Sequence, residues 1–185
     1  MEIKKINRND IRILEQVKNL LLEAFPHSYY CCADDEVVKL ISEDRILIGA
    51  FNDNGILLGF AGAIPQYSNT GWELHPIVIK EEFRFRGIGS MLLKGLEDAV
   101  DEKGGITIYL GTDDEFGKTS LSGNDLYDNL FDKIRDITNI RKHPFEFYIK
   151  NGYRIVGVIP DANGLGKPDI IMAKRITNRK EGLIE

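Results

Sequence analysis

The sequence predicts a mixed α/β domain in three layers, with helices flanking a central, mostly antiparallel sheet. Three observations carry this. Apolar residues recur at helical spacing near the start, at Ile13, Leu14, Val17, Leu20, Leu21 and Phe25. Two apolar stretches, Arg45–Phe51 and Ile56–Ile64, flank Asn52-Asp53-Asn54-Gly55, and Asn-Gly in such a gap signals a hairpin. A strand, a glycine-containing loop, a helix and a further strand then follow one another through the middle of the chain.

The elements read in order as follows. Ile3–Ile6 is a short first strand. Asp10 caps the first helix, and Pro26 lies just past its end. A second short helix falls near Asp34–Ile41, before the hairpin. Trp72–Ile79 is the next strand. The helix after the glycine loop carries Ile88, Met91, Leu92, Leu96, Ala99 and Val100 on one face. It ends at Gly104-Gly105, where a left-handed cap is available. Ile106–Leu110 is a strand, followed by a polar segment and a weak helix around Asp125–Ile134. Pro144–Asn151 is helical and stops at Gly152. Tyr153–Ile159 and Ile170–Ala173 complete the sheet.

A chain of 185 residues, 43% apolar and 29% charged, suits a single globular domain over 1–185, with a polar, loosely ordered tail from about residue 177. The net charge of −5 argues against non-specific nucleic-acid binding and is compatible with a cationic substrate. Cys31 and Cys32 are neighbours, so they make neither a disulfide framework nor a CxxC zinc pattern, and no metal is expected. The charged start lacks an apolar signal core, and Ile56–Pro65 is too short to span a bilayer. A cytoplasmic protein without a membrane partner is expected.

The most informative run is Arg84-Phe85-Arg86-Gly87-Ile88-Gly89-Ser90, between the β-branched stretch Ile77-Val78-Ile79 and a helix start. The first N–H groups of a helix have no internal partner, and the helix dipole is positive there. Gly87 and Gly89 let backbone approach a phosphate closely, while Arg84 and Arg86 offer charge-assisted hydrogen bonds. The spacing Arg-x-x-Gly-x-Gly resembles the pyrophosphate-binding loop of the GNAT family of acetyl-CoA-dependent N-acetyltransferases. Gly117-Lys118-Thr119 does not make a P-loop, because that pattern needs glycine where Thr112 stands.

Longer strings narrow the resemblance: Gly62-Ala63-Ile64-Pro65-Gln66-Tyr67, Thr70-Gly71-Trp72-Glu73-Leu74-His75-Pro76, Gly104 through Asp114, His143-Pro144-Phe145-Glu146-Phe147-Tyr148, and Pro160-Asp161-Ala162-Asn163-Gly164 with Lys167-Pro168-Asp169-Ile170. In this order and spacing they are similar to aminoglycoside 6'-N-acetyltransferases of the GNAT superfamily, of the enterococcal chromosomal type. The resemblance runs from about residue 45 to 175. It implies the GNAT acyltransferase fold, acetyl-CoA as cosubstrate, an aminoglycoside acceptor and a homodimer.

Acetyl transfer from a thioester to an amine needs a neutral amine, a donor to the developing oxyanion and a proton for the leaving thiolate. The resemblance places the active-site glutamate at Glu73. His75, two residues on and on the same face of the strand, is available to relay a proton or to serve structurally. The resemblance also assigns the backbone N–H groups of Ile77 and Ile79 to the acetyl carbonyl and the pantetheine arm. It assigns cofactor contacts to Arg84, Arg86, Gly87, Ile88, Gly89 and Ser90. Tyr148 matches a family tyrosine whose hydroxyl lies near the CoA sulfur. Many members carry asparagine seven residues before that tyrosine; here the position is Arg141, with Asn139 nearby but out of register.

A polycationic acceptor calls for an acidic cleft. Residues 112–136 hold seven carboxylates against three basic residues. Asp113 and Asp114, just after a strand, are the favoured cleft residues, with Asp169 a further candidate. Trp72 either lines the cleft or packs in the core. Two other functions stay open: acetylation of another cationic amine, such as a polyamine or protein amine, and a non-catalytic acetyl-CoA sensor.

Overall fold

The computed structural model describes residues 1–177. The tail expected from about residue 177 lies outside the described residues, except for Thr177, which is buried. The chain divides into two compact units: Met1–Ile108 with the segment from Ile176, and Tyr109–Arg175.

In the first unit, β1 (Glu2–Lys5) leads to α1 (Ile11–Ala24). The Asp10 carboxylate accepts the Arg12 N–H at 3.1 Å, satisfying a donor that the helix leaves without a partner. Pro26 does more than end α1. It opens a short α2 (Pro26–Tyr29), since its fixed φ suits a first helical position. Next come α3 (Ala33–Leu40) and the hairpin of β2 (Ile46–Phe51) and β3 (Leu57–Gln66). In the hairpin turn the Asn52 side chain accepts from Asn54 and Ile56 N–H groups, and Gly55 takes a φ of 74° that favours glycine. β4 (Gly71–Ile79) and α4 (Ile88–Glu102) follow, and Gly104 ends that helix turn at φ 83°.

β1 through β4 pair antiparallel in sequence order. Side chains alternate between sheet faces. On one face Leu47, Phe51, Leu57, Phe60 and Val78 pack with Val17, Leu20 and Leu21 of α1 and with Val37 and Leu40 of α3. On the other face α4 comes close enough that a Cβ on Gly95 would lie 2.7 Å from Ile3. Ile48 borders the same glycine. Helices on both faces give this unit three layers.

In the second unit, β5 (Thr107–Asp113, begun in the first unit) runs three residues beyond the expected end at Leu110. α5 is Leu130–Arg135. The segment from Asp125 is not helical, because Asn129 sits at φ 52°, a conformation that cannot continue a right-handed helix. α6 (Phe145–Lys150) stops before Gly152 at φ 89°. β6 (Arg154–Ile159) and β7 (Asp169–Arg175) pair antiparallel. The seven-stranded sheet has the order β1-β2-β3-β4-β5-β7-β6.

Candidate active site

The candidates of the first unit are built on β4. Ala61 of β3 lies opposite Ile77, and Ala63 opposite Leu74. The single residue Gly62 therefore faces two residues of β4, His75 and Pro76, which form a bulge. A Cβ on Gly62 would sit 2.5 Å from the His75 carbonyl oxygen, so only glycine lets β3 pass the bulge. Along β4 the residues Trp72, Leu74, Pro76 and Val78 are buried and Glu73, His75, Ile77 and Ile79 are half-exposed. The bulge reverses the alternation, so Glu73, opposite Ile64, shares a sheet face with Val78, opposite Phe60, while Ile77 and Ile79 lie on the other face. We expect Gly62→Ala to destabilise the fold by about 1–3 kcal/mol, an ordinary overpacking cost, and to lower turnover by displacing His75. Urea unfolding and initial rates on the same preparation check both parts.

Beyond Ile79 the chain enters the glycine loop. The Arg84 guanidinium donates to the Ile79 carbonyl at 3.2 Å, which holds it against the end of β4. Arg86 lies over the Phe83 ring, 5.3 Å from its centroid. Gly87 is the N-cap of α4 at φ 82°, and a Cβ there would meet nothing within 4 Å. The first intrahelical bond runs from Met91 N–H to Gly87 C=O at 3.1 Å. The N–H groups of Ile88, Gly89 and Ser90 precede it. An open glycine cradle, free first-turn donors and two exposed arginines fit a pyrophosphate.

His75 meets two groups that the linear sequence did not associate with it. Its Nε2 lies 3.3 Å from the Tyr29 hydroxyl of α2 and 3.5 Å from Oε1 of Glu36 in α3. Glu36 is buried and His75 half-exposed. Burial, and then the Glu36 carboxylate, raise the Tyr29 phenol above its ordinary value, so it keeps its proton.

The Tyr109–Arg175 unit holds the remaining candidates. Tyr148 is buried on α6, with its ring edge-on to Tyr153 at 5.8 Å. Burial pushes its phenol well up, so the hydroxyl stays a donor at neutral pH. Asp113 is exposed and accepts from Asn163 Nδ2 at 2.5 Å. Asp169 is half-buried, its carboxylate lying where Gly111 carries no Cβ. Asp114 departs from expectation. It is fully buried and accepts from Lys118 N–H at 2.6 Å, Thr119 N–H at 2.9 Å and the Thr119 hydroxyl at 2.7 Å. A carboxylate so engaged holds its own loop rather than lining a cleft. Of the two alternatives for Trp72, in the first unit, the burial matches packing in the core. Trp72 is 1% exposed, its indole N–H donates to the Asn69 carbonyl at 2.9 Å, and it belongs to the packed interior.

Asn139 clamps the backbone of His143, giving Nδ2–H to its carbonyl at 2.9 Å and accepting its N–H at 2.8 Å. Arg141 is exposed. The buried His143 accepts the Phe145 N–H at Nδ1 (3.2 Å), so its Nε2 carries the proton and donates to the Asp113 carbonyl at 3.1 Å. Burial lowers its pKa below the ordinary value. The unfolded chain therefore binds more protons at this residue than the folded one. Stability from His143 is complete above about pH 6.5, the unfolded value, and is lost as pH falls below it. We expect the acid-side loss of stability between pH 7 and 5 to shrink in His143→Gln, measured by urea unfolding across that range.

Sequence reasoning placed Glu73 and His75 on a strand that leads into the glycine loop, and β4 carries both. It missed Tyr29 and Glu36, whose only linear trace is the acidic first turn of α3. It also missed Asn163 as the partner of Asp113. Among the described residues no helix is long and apolar enough to cross a membrane.

Residues 14–122 match the Acetyltransferase (GNAT) family. No curated protein matches the chain. Among solved structures, an aminoglycoside 6'-N-acetyltransferase complexed with coenzyme A is 48% identical, covering 98% of this chain and 100% of that one, with a TM-score of 0.95. The aminoglycoside 6'-N-acetyltransferase from Enterococcus faecium is also 48% identical, with the same coverages and a TM-score of 0.94. An aminoglycoside 6'-acetyltransferase type Ii is 41% identical over 97% of this chain and 99% of that one, with a TM-score of 0.78. The match over 14–122 includes the bulged strand and its glycine loop, and the likeness to whole acetyltransferases extends over nearly the full length: the chain belongs to the GNAT family of acetyltransferases.

Proposed function

We propose that this acyltransferase moves the acetyl group of acetyl-CoA directly to the 6'-amine of an aminoglycoside. The observation that carries the reading is 48% identity over 98% of the chain to an aminoglycoside 6'-N-acetyltransferase complexed with coenzyme A. Acetyl-CoA supplies the activated acetyl group. Arg84, Arg86 and the first-turn N–H groups of α4, with Gly87 as the open cradle, hold its pyrophosphate. The backbone N–H groups of Ile77 and Ile79 hold the acetyl carbonyl and the pantetheine arm. Glu73 binds the acceptor ammonium and takes its proton, leaving the electron pair on nitrogen. Tyr148, kept protonated by burial, gives a hydrogen bond or proton to the departing sulfur. Asp113 and Asp169 attract the other ammonium groups of the polycation.

Residues 1–185 act as one cytoplasmic enzyme domain without nucleic-acid or membrane partners, working as a homodimer. The last strand in the sheet order, β6, supports the dimer reading: it presents an edge and exposes Val156 and Ile159. Sedimentation should then give twice the 21.0 kDa chain mass.

The test of function is thiol release from acetyl-CoA with kanamycin, a paromamine-type compound bearing a 6'-hydroxyl, spermidine and a lysine peptide. Acetylation of kanamycin but not of the 6'-hydroxyl compound is expected. Turnover only with spermidine or the peptide would reassign the acceptor. Tight acetyl-CoA binding without turnover would make the protein a sensor.

A further inference from the structure

α3 buries one face, formed by Ala33, Glu36, Val37 and Leu40, at the spacing of a core-facing helical stripe. Glu36 therefore occupies a position where an apolar side chain is ordinarily found. Its neighbours Asp34 and Asp35 point outward to solvent. A buried carboxylate is costly unless it is paired. The side chain is 11% exposed, and its oxygens lie 3.5 Å from His75 Nε2 and 3.7 Å from the exposed Lys39 ammonium one turn along the same helix. Lys39 needs no buried partner, since water reaches it. The group that gains from a carboxylate at this depth is His75. The Tyr29 hydroxyl, 3.3 Å from the same ring nitrogen, closes the cluster from α2.

These neighbours bear on the tautomer of His75. A carboxylate only accepts hydrogen bonds and so favours the proton on the imidazole nitrogen facing it, 3.5 Å away, while the Tyr29 hydroxyl at 3.3 Å can accept from or donate to that nitrogen. With the proton on Nε2, Nδ1 keeps its lone pair. The His75 side chain is 40% exposed, and it stands on the same face of β4 as Glu73.

We propose that Glu36, assisted by Tyr29, is a positioning residue that holds His75 in the Nε2–H form, so that Nδ1 acts as a proton acceptor on the acceptor-amine side of the site. This rests on the reading of the Glu73 face as that side. The step balances simply. A proton leaves the ammonium to Glu73, directly or through water, and passes on to Nδ1; its bonding pair stays on the amine nitrogen. The resulting imidazolium faces the Glu36 carboxylate and is discharged to solvent after acetyl transfer.

The test combines kinetics on kanamycin with nitrogen-15 NMR of the imidazoles, using wild type, Glu36→Ala, Glu36→Gln, His75→Ala and the Glu36→Ala/His75→Ala pair. The neutral His75 ring is expected in the Nε2–H form in wild type, and as a mixture of tautomers in Glu36→Ala. Each single alanine variant should lower kcat about tenfold, and the pair no further, because residues acting through one another are not additive. The KM for acetyl-CoA should stay within about twofold, since the pyrophosphate loop is untouched. Glu36→Gln, which can still accept from Nε2–H, should recover part of the rate. An Nδ1–H ring in wild type overturns the proposal. So do multiplicative losses in the double variant, or a Glu36→Ala kcat equal to wild type. If wild type acetylates no amine at all, the functional reading fails and takes the kinetic part with it; the tautomer measurement stands apart from that outcome.

Discussion

Replacing Glu73 by alanine should lower kcat by about two orders of magnitude, the ordinary contribution of a positioned general base, while acetyl-CoA affinity changes little. The reason is geometric. Glu73 of β4 pairs with Ile64 of β3 and is half-exposed, two residues before the bulge. The groups assigned to the cofactor lie further on, from Ile77 to Ser90. In the proposed role, loss of the carboxylate removes a proton acceptor and an ammonium partner without altering the loop. Glu73→Gln keeps the shape and should be nearly as impaired, because an amide does not take the proton. Steady-state kinetics with kanamycin, alongside calorimetric titration of acetyl-CoA, separate the two quantities. Parallel losses in turnover and cofactor affinity would assign Glu73 to the fold instead.

Gly89→Asp should weaken acetyl-CoA binding by ten- to a hundredfold, or about 1.4–2.8 kcal/mol. Gly89 is the second residue of α4. A carboxylate there meets the positive end of the helix dipole, which stabilises it by about 0.3–1 kcal/mol in the free protein. The melting temperature of the free variant should therefore hold or rise slightly. The same carboxylate repels a pyrophosphate seated on the first-turn N–H groups and occupies its approach. Affinity and stability thus move independently, and that divergence is the signature of an anion site rather than of a damaged helix. Unchanged cofactor affinity in the variant would remove the loop assignment.

Local signals made most of the architecture legible. Helical spacing located α1 and α4, Asp10 marked a true cap, and the Asn-Gly turn marked the β2–β3 hairpin. These features depend on neighbours a few residues apart, which the linear pattern records. The α5 boundary was misread, because the left-handed Asn129 leaves no periodic trace. The bulge at His75-Pro76 was invisible for a different reason. It exists only in the register between two strands, and Gly62 is its sole linear counterpart.

The chain on its own determined the strand–loop–helix unit proposed to hold the anion, the placement of Glu73 ahead of it and the resemblance that gave each residue an expected role. Spacing and residue type carry that information, because backbone donors, glycine freedom and side-chain charge are local properties. Which carboxylates turn outward was a tertiary decision. Asp113 and Asp114 are adjacent, yet one is exposed and the other is buried with three hydrogen bonds in its own loop. Trp72 went to the core and Glu36 to the side of His75 by the same principle. Burial and partnership are set by what the rest of the chain brings alongside, and a carboxylate or an indole has the same letter in either place.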